Sequence, residues 1–162
     1  MEWESIGALA VFIIASFGAA SSGGIFKPGA WYEGLNHPPW RPPNWLFPVV
    51  WMPLFCMIAA SGFLVWQAAG WSGGAGALTI YFVHLVINWA WSAIFFGMKR
   101  IDWGLAEVGL LWLSIVATMA AFFPIDATAG WLLVPYLAWV SFAGYYNYVM
   151  LRLNPRPTTL DA

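Results

Sequence analysis

Apolar residues fall into five long runs separated by short breaks rich in turn-forming or charged residues. The runs cover about Ser5–Phe26, Trp45–Gln67, Leu78–Met98, Gly104–Phe123 and Trp131–Leu151. Each approaches the ~20 residues that a helix needs to cross a hydrocarbon core. Backbone groups in lipid must be satisfied within a helix or a closed barrel, and continuous hydrophobicity in an odd number of runs disfavours the barrel. The pattern therefore predicts an all-α integral membrane protein. It is a single five-helix bundle over residues 1–152, followed by a short polar tail at 153–162. No internal repeat is visible.

The breaks differ in character. Lys27 to Trp51 holds six of the eleven prolines together with Trp31, Trp40, Trp45 and Trp51. Proline fixes its own φ and steers the preceding residue away from the α region, so Pro38-Pro39 and Pro42-Pro43 predict a stiff, non-helical loop. Its large rings seek burial or an interface. The expectation is a lid over a ligand site, with Pro38, Trp40, Arg41, Pro42 and Pro43 as its core. The break after the second run, AAGWSGGAGA, is a turn of small residues without charge. Lys99-Arg100-Ile101-Asp102 and Pro124-Ile125-Asp126 make the other two, with Asp126 read as a cap or loop residue.

Composition removes the soluble alternatives. Hydrophobic residues make up 62% and charged residues 8% of the 162, against roughly 45–50% and about 25% in ordinary soluble domains. With a net charge of −1 and no charged tail, nucleic acid is not an expected partner. Cys56 is the single cysteine, so no intrachain disulfide is expected. Glu2 and Glu4 at the N-terminus, with no basic residue there, disfavour a signal peptide. All six basic residues, Lys27, Arg41, Lys99, Arg100, Arg152 and Arg156, fall on one side of a five-span topology. In a plasma membrane the positive-inside rule puts the lid loop and C-terminus in the cytoplasm and the N-terminus outside. An outer membrane is the alternative location.

Polar residues inside spans are expensive and therefore candidates for function. His84 and Asn88 lie four apart on the third span and share a face, which Trp91 extends. That face reads either as an inter-helix hydrogen bond or as a polar spot in a cavity; an axial haem ligand is a third, weaker reading of His84. Glu107 lies about a turn into the fourth span and is expected to face Lys99 and Arg100 near the helix N-terminus. Tyr136, Trp139 and Ala143 present two rings and a small residue on one face of the fifth span. No paired carboxylates, metal cluster, phosphate loop or nucleophile motif is present, so neither a catalytic nor a metal site is expected. Stripes of small residues, Ala15-Ala19-Gly23 and Ala93-Gly97, predict close helix packing within the bundle or, second, a homodimer seam.

Lys27-Pro28, Trp31-Tyr32, Leu35, Pro38, Trp40, Pro42-Pro43, Trp45, Phe47-Pro48 and Trp51 together resemble the signature of the translocator proteins, or tryptophan-rich sensory proteins (TspO/MBR). Asn88 and Trp91 before Phe95-Phe96, and Trp131, Pro135-Tyr136 and Trp139, are similar to later signatures of that family. The resemblance covers about residues 5–152. It implies a five-helix bundle, often dimeric, that binds porphyrins and isoquinoline or benzodiazepine ligands, and sterols in animal members. No cofactor is required; porphyrin or haem would be a ligand. Carried over by position, the pocket wall would comprise Trp31, Tyr32, Trp51, Phe55, His84, Asn88, Trp91, Trp139 and Ala143. Two departures are His37, where the family usually has lysine, and His84, where it has an amide. A loose sterol pattern is met by Val140, Tyr146 and Arg152 at its longest spacings.

The resulting expectation is a membrane receptor or transporter-like protein that holds tetrapyrroles against tryptophan faces, with transport or stress regulation as output. The alternatives are an enzyme that degrades or photo-oxidises bound porphyrin, and a membrane adaptor without a small ligand. Against the adaptor stands the expected bias of tryptophan to the loop side, since an interfacial belt needs aromatics at both faces.

Overall fold

A computed structural model describes residues 2–155 of the chain; Arg156 and the rest of the tail lie outside the described residues. The elements are α1 (Glu2–Ile25), α2 (Ala30–Glu33), α3 (Leu46–Gly73), α4 (Ala75–Ser92), α5 (Ile101–Phe122), α6 (Ala127–Leu132) and α7 (Val134–Leu153). α4 continues into a π-helical turn over Ala93–Gly97. Among the described residues, five stretches are long and apolar enough to span a membrane: α1, α3, α4 with its π turn, α5, and α6–α7 taken together.

Local sequence explains the ends. Pro48 sits in the first turn of α3, where no helical N–H is needed, whereas Pro53 removes one rung from the helix interior. α3 runs past its expected end at Gln67 and kinks at Gly70, whose φ of 68° is non-helical and suits glycine; a short further turn continues to Gly73. Lys99, two residues past the π turn, has a positive φ of 55°. Asp126 caps α6: its side chain accepts a 2.8 Å hydrogen bond from the Ala129 N–H.

α4 packs on α1, α3 and α5, and α7 packs chiefly on α5. Single polar bonds fasten several helix pairs, as expected where lipid supplies no hydrophobic drive between helices. Ser16 meets the Tyr81 hydroxyl at 3.0 Å between α1 and α4. Ser61 donates to the Ala129 carbonyl at 2.8 Å between α3 and α6. Asn147 donates to the Ile101 carbonyl at 2.8 Å between α7 and α5. The third-span stripe is partly occupied within the chain, because a Cβ at Gly97 would lie 2.8 Å from the ring of Phe26, the residue after α1.

Two sequence expectations change. The loop is not wholly irregular: Ala30–Glu33, upstream of the paired prolines, forms one helical turn. The exposed tryptophans also do not favour one end. Trp3, Trp71 and Trp131 cluster opposite Trp40, Trp45 and Trp103, so both ends of the bundle carry an aromatic belt. The belt argument against an adaptor therefore falls.

Candidate functional site

At the loop end the helices separate around a cavity of about 580 Å³, within the range of small-molecule sites. All five spans contribute to its wall. Phe17, Ala20 and Gly24 come from α1, Trp51 and Phe55 from α3, Asn88 and Trp91 from α4, Val108 and Leu111 from α5, and Trp139, Val140 and Ala143 from α7. Tyr32 of α2 and Phe96 of the π turn complete it near the loop.

The wall is mainly apolar, with a few directed donors. Trp51 stacks on Phe55 with ring centroids 5.2 Å apart and meets Tyr136 edge-on at 6.0 Å. Trp91 stacks on Phe95 at 5.3 Å. The indole N–H groups of Trp91 and Trp139 are buried and have no protein acceptor. Asn88 is fixed by donating from Nδ2 to the Tyr136 hydroxyl at 2.8 Å. A flat apolar molecule with acceptors at its edge suits this arrangement.

Of the nine expected wall residues, Tyr32, Trp51, Phe55, Asn88, Trp91, Trp139 and Ala143 line the cavity, whereas Trp31 and His84 do not. Trp31 and Tyr32 are adjacent on a helical turn and diverge; Trp31 packs edge-on against Phe95 at 6.1 Å. His84 is fully buried one turn deeper than Asn88. Its Nδ1–H is directed at the Tyr81 carbonyl, its Nε2 has no protein partner, and its ring lies 5.8 Å from Tyr136. Glu107 does not face Lys99 and Arg100. It is buried with both carboxyl oxygens unpartnered, while Arg100 makes a two-pronged pair with the nearby Asp102 at 2.8 and 2.9 Å. The sterol pattern does not form one surface: Val140 faces the cavity, Tyr146 is buried against the loop, and Arg152 is exposed.

The expected lid core covers the bundle but does not touch the cavity. Pro38, Trp40, Arg41, Pro42 and Pro43 are all absent from its wall. Trp40 stacks on Tyr145 of α7 at 5.7 Å. His37 donates from Nε2 to the Tyr32 carbonyl at 2.8 Å, and its Nδ1 meets the Tyr146 hydroxyl at 3.2 Å. Tyr146 in turn meets the Tyr32 hydroxyl at 2.8 Å. Burial, then that bond, raises the Tyr32 phenol well above its ordinary range, so it remains a donor. The Asn154 side chain clamps the Asn36 backbone, accepting from its N–H at 2.8 Å and donating to its carbonyl at 3.0 Å, while the Asn36 side chain donates to the Leu153 carbonyl at 3.3 Å. Within the loop, Arg41 pairs with Glu33 at 2.7 Å and lies 4.9 Å from the Tyr32 ring centroid.

Residue reasoning missed the α1 wall, which is built from Ala19, Ala20, Ser22, Gly23 and Gly24. Small uncharged residues there read as a packing stripe. The spacing that put Gly23 on a helix-facing side was the available signal, and the splayed helix end could not be seen from it.

An apolar cavity inside five membrane-spanning helices, closed at one end by a proline- and tryptophan-rich loop, defines an integral membrane protein of receptor-like build. Comparison with known proteins makes the family specific. Residues 8–153 match the sequence model of the TspO/MBR family, and the chain belongs to that family. It is 41% identical to Protein CrtK of Rhodobacter capsulatus over 96% of this chain and 99% of that protein. It is 41% identical to the tryptophan-rich sensory protein of Cereibacter sphaeroides, over 95% and 94% respectively. Against the human translocator protein it is 36% identical over 76% of this chain and 75% of that one.

Proposed function

We propose that the cavity binds porphyrins and related flat, lipophilic molecules, and that binding serves a transport or stress-regulatory output. The observation that carries this reading is the pairing of an apolar volume of about 580 Å³ with two unpartnered indole donors, Trp91 and Trp139, on its wall. A planar π system can stack against the indoles while its edge accepts their hydrogen bonds. Lys27, on the cavity rim, can pair with a carboxylate that stays at the membrane surface. The names of the relatives, translocator and sensory protein, agree with a receptor-like role.

Titration with protoporphyrin IX in vesicles or detergent tests the reading. Binding should quench tryptophan fluorescence, because Trp51, Trp91 and Trp139 would lie against the ligand. Trp51→Ala and Trp139→Ala should each weaken affinity by ~1–3 kcal/mol, the scale of a buried aromatic contact. Unchanged affinity in both folded variants would remove the cavity as the binding site.

A further inference from the structure

α1 makes two different contacts along its length. At the end away from the loop it is closed against α3: a Cβ at Gly62 would lie 2.6 Å from the Phe12 ring, and Phe12 stacks on Trp71 at 5.6 Å. At the loop end it leans instead on α4, where Phe26 lies over Gly97 and meets Trp89 edge-on at 5.8 Å. The gap this leaves lies between the last turns of α1 and the first turns of α3. Gly18, Gly23 and Gly24 have no foreign heavy atom within 4 Å of where a Cβ would stand.

The exposed residues of the cavity wall mark its mouth at that gap. Gly23, Gly24, Lys27 and Pro28 border one side, with Asn44, Pro48 and Met52 on the other. Around it stand outward apolar side chains: Ile25 is 64% exposed, Val49 58% and Met52 56%. On membrane-spanning helices such side chains face lipid tails, so the mouth opens sideways into a leaflet. The route past the loop is closed by the His37–Tyr146–Tyr32 and Asn36–Asn154 bonds and by Trp40 on Tyr145.

Resting on the reading of the cavity as a ligand site, we infer that its ligands are amphiphiles already dissolved in the bilayer, admitted laterally between α1 and α3. The apolar body slides in between the glycine face of α1 and Met52. The anionic edge stays at the headgroup level, where Lys27 can follow it with a flexible stem. Glycine is used because any side chain at Gly23 or Gly24 would stand in the doorway. A lateral path also lets the loop remain fastened to α7 throughout binding.

The test uses the full chain in lipid vesicles, protoporphyrin IX as probe, and stopped-flow quenching of tryptophan. Gly23→Leu and Gly24→Leu, singly and together, are compared with Gly7→Leu, a control at the far end of α1 that is equally open. The portal predicts that association slows by about tenfold in the double variant and that dissociation slows with it, because a gate obstructs both directions. Gly7→Leu should match wild type. Loosening the loop with Asn36→Ala and Asn154→Ala should leave association unchanged. Association unaltered by leucine at Gly23 and Gly24, faster dissociation there, or faster association in the loosened loop each overturns the portal. Failure of wild type to bind the probe would instead overturn the cavity reading itself.

Discussion

Gly62 is a tight point of the α1–α3 contact, since an added methyl group would fall 2.6 Å from Phe12 and 2.9 Å from Tyr81. Both rings are fully buried and held by further aromatic contacts, so they have little room to give. Gly62→Ala should therefore destabilise the fold by ~1–3 kcal/mol, the usual scale of overpacking, read as a lowered midpoint in thermal unfolding in detergent. Ala143 sits in a different environment, half-buried on the cavity wall. Ala143→Thr should keep the fold and weaken the binding of a porphyrin and of an isoquinoline, because the added hydroxyl occupies ligand space and needs an acceptor. Equal affinities in both proteins would place Ala143 away from the ligand. Single residues also show how far helical periodicity reaches. Asn88 and Trp91 were legible as one face, and so was the pairing of Trp139 with Ala143. His84 shares that face by angle, but a turn's rise of about 5.4 Å sets it deeper, beside Tyr136 and off the cavity wall. Angle follows from sequence spacing, whereas depth depends on how neighbouring helices splay.

The loop behaves as a braced strap rather than a free flap. Its inner brace is Glu33, which accepts from Arg41 at 2.7 Å and from Asn44 at 2.9 Å. These bonds, Arg41 first, hold the exposed Glu33 carboxyl at about 2, below the ordinary 4.5. A depressed folded value means that the brace contributes fully above the unfolded value and fades as pH falls through the folded one. Between about pH 4.5 and 2, protection of the loop amides, read as exchange relative to the intrinsic rate at each pH, should therefore fall, and Glu33→Gln should flatten that dependence at a uniformly lower protection. An equal pH response in wild type and variant would sink this account. Sequence predicted the strap's stiffness from Pro38-Pro39 and Pro42-Pro43, but not its fastening. The bonds from His37 to Tyr146 and from Asn36 to Asn154 join positions more than a hundred residues apart, and no local pattern encodes such a pairing. The π turn at Ala93–Gly97 was equally silent, since AIFFG reads as ordinary apolar helix; it turns Phe95 into the core and Phe96 to the cavity.

Across the whole molecule, charge and aromatics divide the bundle by end. The five spans were legible because hydropathy over some twenty residues is a property of composition alone. Orientation in the membrane follows from a subtler asymmetry. Among the described residues, Lys27, Arg41, Lys99, Arg100 and Arg152 all stand at the loop end. The opposite end, formed by the start of α1, the α3–α4 turn and α6, carries Glu2, Glu4 and Asp126 and no basic group. Belts of tryptophan at both ends fix depth but not direction, so direction rests on basic residues, which resist translocation during insertion. In a plasma membrane the loop end, with its portal, would face the cytoplasmic leaflet. A Cys56→Ser background removes the exposed native thiol, after which Asn44→Cys and Thr128→Cys report on the two ends. A membrane-impermeant maleimide added to intact cells should label the cysteine at 128 at once and the one at 44 only after permeabilisation. The reverse pattern would invert the topology, and labelling of both in intact cells would mean that the chain inserts in two orientations.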